Sequence, residues 1–248
     1  MSDLDACVER VQSGDPDRFL ATMSAPPASR QILFPLYAFN VEISRAPWMT
    51  TEPMIAEMRL QWWRDVLEEI AKGGPVRRHE IATPLAAILT PDMAQALDAT
   101  VAARRWDIYR EPFETAEDFE AHLDNTAGLL LWTAGQLLGA KEETTLRAVG
   151  WAQGLANWFL AIPALEAAGR MPLVDGRPEA VRELAKKGLQ TLATPLKSKP
   201  ARVAALAAWR AGPLLRMAAR TPERVAAGDL VQSEFARRGG LLLRSLRA

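Results

Sequence analysis

The chain has 248 residues, 49% of them apolar, and thirty acidic residues balance thirty basic ones. That length and apolar fraction suffice for one large core, and zero net charge gives no electrostatic case for a nucleic-acid partner. A single cysteine, Cys7, excludes an internal disulfide and fits a reducing compartment.

Strand signals are scarce and Ala, Leu, Glu and Arg dominate, so the expected class is all-α. The first residues are acidic and polar, without a charged-then-apolar leader pattern. No run approaches the roughly 18 apolar residues that cross a bilayer. These features predict a cytoplasmic protein that could lie against the inner face of a membrane without crossing it.

In chain order, helices are predicted near 3–13 and 15–24, the second opened by Asp15-Pro16 as cap and first helical residue. Next come 27–46 and 52–72, the latter between Thr51-Glu52-Pro53 and the stop Gly73-Gly74-Pro75. Further helices are expected near 82–89, 92–107 (after Thr90-Pro91-Asp92), 115–138 and 141–168. The clearest loop is 169–178, followed by helices near 178–192, 199–219 and 222–246. Pro35, Pro163 and Pro213 fall inside apolar segments, and each is expected to kink or break its helix. With no repeat and no low-complexity linker, residues 1–248 read as a single domain.

Charge is unevenly spread. From Lys197 onward eleven basic residues face three acidic ones, so the remainder of this net-neutral chain is correspondingly acidic. The basic 197–248 part is either a solvated face or a surface for an anionic partner, such as a membrane contacted peripherally.

Common catalytic motifs are missing. His79 and His122 with one cysteine give no zinc spacing, and there is no phosphate-binding loop, dinucleotide fingerprint or nucleophile elbow. The acidic pairs Asp15/Asp17 and Glu68/Glu69 fit helix caps or solvated faces.

Two segments carry a resemblance. One is Phe34-Pro35-Leu36-Tyr37-Ala38-Phe39-Asn40-Val41-Glu42-Ile43-Ser44-Arg45-Ala46-Pro47-Trp48. The other is Gly150-Trp151-Ala152-Gln153-Gly154-Leu155-Ala156-Asn157-Trp158-Phe159-Leu160-Ala161-Ile162-Pro163, followed by Gly169-Arg170-Met171-Pro172-Leu173. Between them lie Arg59-Leu60-Gln61-Trp62-Trp63-Arg64, Glu111-Pro112-Phe113 and Thr126-Ala127-Gly128. In order and spacing these resemble the squalene/phytoene synthase family, most clearly over residues 15–175. The resemblance implies a helical bundle of the isoprenoid (trans-prenyl) synthase type.

Enzymes of that family ionise a prenyl diphosphate, and magnesium neutralises the leaving group. Two aspartate-rich helices face each other to hold the metal, with carboxylates one turn apart. Laid on this sequence, the aspartate positions fall at Ser44 and Trp48 on the first segment and at Ala161 and Leu165 on the second. None is an anionic ligand, so no catalytic and no metal-binding residue is assigned. No cofactor is expected, magnesium entering only if the chain is a prenyltransferase after all. Trp48, Trp158 and Phe159, with Trp132, are either core aromatics or side chains that narrow an inherited prenyl tunnel.

The "YAFN-x-E", "RLQWWR" and "AQGL…P" patterns are also similar to a non-catalytic branch of the family, the assembly factors of respiratory complex I and their bacterial relatives. By that resemblance the chain is an assembly factor for an NADH:quinone oxidoreductase, with complex I subunits or other assembly factors as partners. The alternatives are a prenyl-diphosphate synthase with an altered site, performing head-to-head condensation, and an isoprenoid or other apolar-ligand binding protein. The polar residues on the family-like segments are candidates to line any groove: Tyr37, Asn40, Glu42, Arg45, Gln61, Arg64, Asp107, Asn157 and Arg170. They could instead satisfy one another, a buried Arg64 pairing with Glu42 or Asp107. Of Trp62 and Trp63, adjacent on one helix, only one can face a given core.

Overall fold

A computed structural model describes residues 2–109 and 111–248; the predicted groove residues all lie among them. The described residues are helical or irregular, with no strand. Helices α1 (Asp3–Gly14), α2 (Pro16–Ser24) and α3 (Pro27–Arg45) open the chain, and a 3₁₀ turn, Ala46–Trp48, extends α3. There follow α4 (Pro53–Ala71), α5 (Ala82–Ala86), α6 (Pro91–Ala103), α7 (Trp106–Tyr109) and α8 (Ala116–Leu123). A π-helical turn, Asp124–Gly128, leads into α9 (Leu129–Leu137), then α10 (Glu143–Ala167) and α11 (Pro178–Leu192). The remainder comprises α12 (Lys199–Ala204), a 3₁₀ turn Ala205–Ala208, α13 (Ala211–Arg220), α14 (Glu223–Ala226) and α15 (Glu234–Ser245).

The helix starts follow capping chemistry. Asp15 accepts the Arg18 amide at the head of α2, and Thr90 accepts that of Met93 at the head of α6. Proline follows directly at the first helical position in both. Two helices form the centre of one continuous apolar core. Leu33–Val41 of α3 and Val149–Ala156 of α10 are buried at every residue, the pattern of a helix enclosed on all sides.

Several expectations need correction. Neither Pro35 nor Pro163 breaks its helix: α3 and α10 continue past them. Burial of these helices outweighs the one backbone bond that each proline removes. Pro213 falls in the first turn of α13, where its missing N–H has no intrahelical acceptor to lose. The single helix expected over 92–107 is two, divided at Arg104-Arg105. The one expected over 199–219 is interrupted by the 3₁₀ turn, and that over 222–246 divides after Gly228, whose φ of 68° suits glycine. The helix expected over 115–138 runs unbroken from 116 to 137 but contains the π turn, which widens it and rotates the residues that follow. Trp63 is buried while Trp62 is half-exposed, its ring under the Arg77 guanidinium. Among the described residues no helix is long and apolar enough to cross a membrane.

Candidate functional site

A central cavity of about 450 Å³ lies where the two family-like segments converge. The end of α3 and its 3₁₀ turn supply Asn40, Ser44 and Trp48; α10 supplies Gly154, Asn157, Trp158, Ala161, Ala164 and Leu165. The four positions where the resemblance places carboxylates, Ser44, Trp48, Ala161 and Leu165, therefore share one chamber. It is closed by Asp15 and Arg18 of α2, Arg104, Asp107 of α7, His122 of α8, Thr126 and Ala127 of the π turn, and Leu130 of α9.

Close helix approach shapes this chamber. A Cβ on Gly150 would stand 2.5 Å from the Ala127 carbonyl oxygen, and one on Gly154 would stand 2.7 Å from the Ala127 Cβ. Only glycine lets α10 press against the π turn at this distance. The turn is itself pinned: Thr126 donates to the His122 carbonyl at 2.7 Å, and Thr100 donates to the Asn125 carbonyl at 2.8 Å.

Each carboxylate lining the cavity is matched by an arginine. Asp15 lies 3.1 Å from Arg18 and Asp107 lies 3.7 Å from Arg104. Burial pushes the Asp107 carboxyl up from its ordinary pKa and the Arg104 guanidinium down, because each charge sits away from water. Burial likewise drives His122 down to about 3, so its imidazole is neutral near pH 7. Five buried atoms around the cavity have no hydrogen-bond partner among the described residues: Arg18 Nε, Asn40 Oδ1, Arg104 Nε, Asp107 Oδ2 and His122 Nε2. Such atoms normally cost about 1–3 kcal/mol each, so their gathering around one chamber leaves it with unused hydrogen-bonding capacity. Among the described residues no three His, Cys, Asp or Glu side chains are grouped to hold a metal ion.

An aromatic wall closes one end. Trp106 stacks on Phe113 with ring centroids 4.8 Å apart, and Trp158 meets Trp106, Phe113, Phe119 and His122 within 5.1–5.9 Å. The Trp158 indole donates to the Pro172 carbonyl at 2.9 Å. Behind Trp48 the Arg170 guanidinium stacks on that indole at 4.5 Å and on Trp106 at 5.3 Å, and donates to the carbonyls of Trp106 and Asp107.

Of the nine groove candidates, the structure brings Asn40, Asp107 and Asn157 into the cavity; Arg170 does not line it but stacks on Trp48, which does. Tyr37 is fully buried beneath it, its ring 4.9 Å from the Arg18 guanidinium and its hydroxyl pushed up to about 12 by burial. Glu42 and Arg45 lie elsewhere, in a hollow with Arg10, Arg59, Trp62 and His79, because they sit on another face of α3 from Asn40 and Ser44. Glu42 pairs with Arg10 at 2.8 Å. Gln61 and Arg64 open onto a third depression beside α6. Arg64 pairs with neither Glu42 nor Asp107; it grips Asp98 through bonds of 2.7 and 2.9 Å. Phe159 is buried in the core and Trp132 packs against it, so Trp48 and Trp158 are the two of the four singled-out aromatics that line the cavity. Sequence reasoning missed Arg18, Arg104, His122 and Thr126, and took Asp15 for a cap alone. Asp15 is a cap, and its carboxylate also reaches the cavity.

Comparison with known proteins gives the family and the fold. Residues 11–175 match the family described as squalene/phytoene synthase. The human protein named NADH dehydrogenase (ubiquinone) complex I, assembly factor 6 is 26% identical over 161 residues, 63% of this chain and 48% of that protein. Its Drosophila melanogaster homolog is 29% identical over 166 residues, 63% of this chain and 50% of that protein. The chain thus spans about half the length of these relatives. In three dimensions it matches a dehydrosqualene synthase solved with a ligand, with a TM-score of 0.75 at 14% identity over 99% of this chain and 96% of that one. It also matches squalene synthase HpnC from Alicyclobacillus acidocaldarius, with a TM-score of 0.60 at 17% identity over 99% and 92%. At such identities the structural likeness establishes the fold. With the family match running from α1 past the end of α10, and the two facing segments enclosing one chamber, the chain belongs to the squalene/phytoene synthase family.

Proposed function

We propose that this chain is a non-catalytic member of its family that assists the assembly of an NADH:quinone oxidoreductase. The observation that carries the reading is the makeup of the two facing helix segments. Where a diphosphate-ionising enzyme needs carboxylates for its cations, this cavity presents Ser44, Trp48, Ala161 and Leu165. Its two acids, Asp15 and Asp107, are already matched by Arg18 and Arg104. Relatives named as complex I assembly factors share 23–29% identity with the chain and support the same reading. The partners would be subunits of that enzyme or companion assembly factors.

The test is a deletion in the organism that encodes the chain. Assembled NADH:quinone oxidoreductase should fall, and the chain supplied from a plasmid should restore it. In parallel, purified protein should not turn over farnesyl or geranylgeranyl diphosphate with magnesium. Metal-dependent turnover would overturn the proposal in favour of a prenyltransferase.

The open cavity favours a second reading, in which the chain binds an apolar ligand. Leu123, Leu130, Trp158 and Leu165 supply apolar wall, and the cavity acids and arginines cancel in pairs. That balance suits an isoprenoid with an uncharged head better than a diphosphate. Titration with farnesol and farnesyl diphosphate, followed by tryptophan fluorescence, separates the cases. The alcohol should bind more tightly, and equal or reversed affinities would remove this reading.

A further inference from the structure

The surface around α15 is unlike the rest of the molecule. Phe235, Gly239, Leu242 and Leu246 recur at the spacing of one helix stripe, and Leu243 borders it. Phe235 is 89% exposed and Leu246 76%, with Leu242 and Leu243 also exposed. The opposite side of the helix is the docked one. Leu241 is buried there, and Arg237 reaches Asp17 of α2 at 2.6 Å. Arg238 and Arg247, both exposed, flank the apolar stripe on its two sides.

A second observation lies next to this helix. The guanidinium groups of Arg216 on α13 and Arg244 on α15 converge over Gly212, where a Cβ would stand 3.4 Å from an Arg216 nitrogen and 3.6 Å from an Arg244 nitrogen. Neither arginine has a carboxylate within ion-pair distance among the described residues, whereas Arg210, Arg224 and Arg237 nearby all do. Two like charges held together with no acid between them favour an anion.

We infer that α15 and the Arg216–Arg244 pair form a docking surface for an anionic phospholipid bilayer. The helix lies along the headgroup layer, its exposed stripe enters the acyl boundary, and the paired arginines take a lipid phosphate. Charge complementarity selects this occupant. An apolar stripe bordered by arginines, in a part of the chain with eleven basic and three acidic residues, matches a negatively charged interface. An apolar partner protein would satisfy the stripe and leave the arginine pair unneutralised. The inference is independent of what the central cavity holds.

The experiment is co-sedimentation of the full chain with vesicles of phosphatidylcholine alone or with a quarter phosphatidylglycerol. The anionic vesicles should bind at least tenfold more tightly, with the advantage shrinking as salt rises. The exposed-stripe variant F235S/L242S/L246S should lose on the order of a hundredfold in partitioning, and R216Q/R244Q roughly tenfold. Circular dichroism should show both variants still folded. Equal binding to both vesicle types, no binding to either, or full binding by either variant would overturn the inference. So would capture of the stripe by a purified oxidoreductase subunit in competition with vesicles that bind the chain no better than neutral ones.

Discussion

Two arginine–carboxylate pairs in this molecule look alike in sequence and behave differently. Arg64 and Asp98 join α4 to α6 at a half-exposed surface through two well-formed hydrogen bonds. Arg104 Nη1 and Asp107 Oδ2 face the central cavity 3.7 Å apart, and Arg104 Nε and Asp107 Oδ2 make no hydrogen bond among the described residues. The first pair is saturated and fastens two helices. The second is charge-balanced yet unsaturated, which is what a ligand-facing wall requires. Pairing of charges and completion of hydrogen bonds are separate properties, and the cavity has the first without the second.

The contrast can be broken at its buried end. Asp107→Asn leaves Arg104 charged and enclosed, and should cost about 3–5 kcal/mol in urea unfolding. The double variant R104M/D107L should recover most of that loss, since an apolar pair of similar volume carries no desolvation penalty. If Asp107→Asn is neutral, the cavity is wetter than its burial implies. The pH dependence sharpens the same point. His122 is held neutral in the fold, at about 3, but titrates near 6.5 once unfolded. The unfolded chain therefore binds more protons between those values. The His122 contribution is intact above pH 6.5 and is lost as pH falls toward 3, by about 1.4 kcal/mol per unit. Unfolding curves at pH 7 and pH 5 should show this loss, and His122→Gln should flatten it. Gly154→Ala places a methyl against Ala127 and should cost about 1–3 kcal/mol by forcing α10 off the π turn. Arg64→Ala, at the exposed pair, should cost only about 0.2–1 kcal/mol after solvent screening.

The helices were legible in the sequence because their signals are local. Asp15-Pro16 and Thr90-Pro91 mark helix starts through their own caps. The facing of α3 and α10 was legible through the family pattern. What escaped is tertiary. Arg18 reads as a surface arginine on a short helix, yet packing encloses it over Tyr37. Arg104 lies in, and Asp107 just after, a break that no proline or glycine marks. The π turn at 124–128 packs closely against Gly150 and Gly154 of α10, a contact that no local window contains. Glu42, Arg45, Gln61 and Arg64 sat on the correct segments but on other faces, since a family pattern fixes position along a helix more readily than rotation about it.

The clasp formed by Arg170 ties together parts of the chain that are far apart in sequence. One guanidinium holds the indoles of Trp48 and Trp106 and two backbone carbonyls at once. The 168–177 loop, the short α7 helix and the end of α3 therefore share a single fastening, and removing that one side chain would loosen all three together.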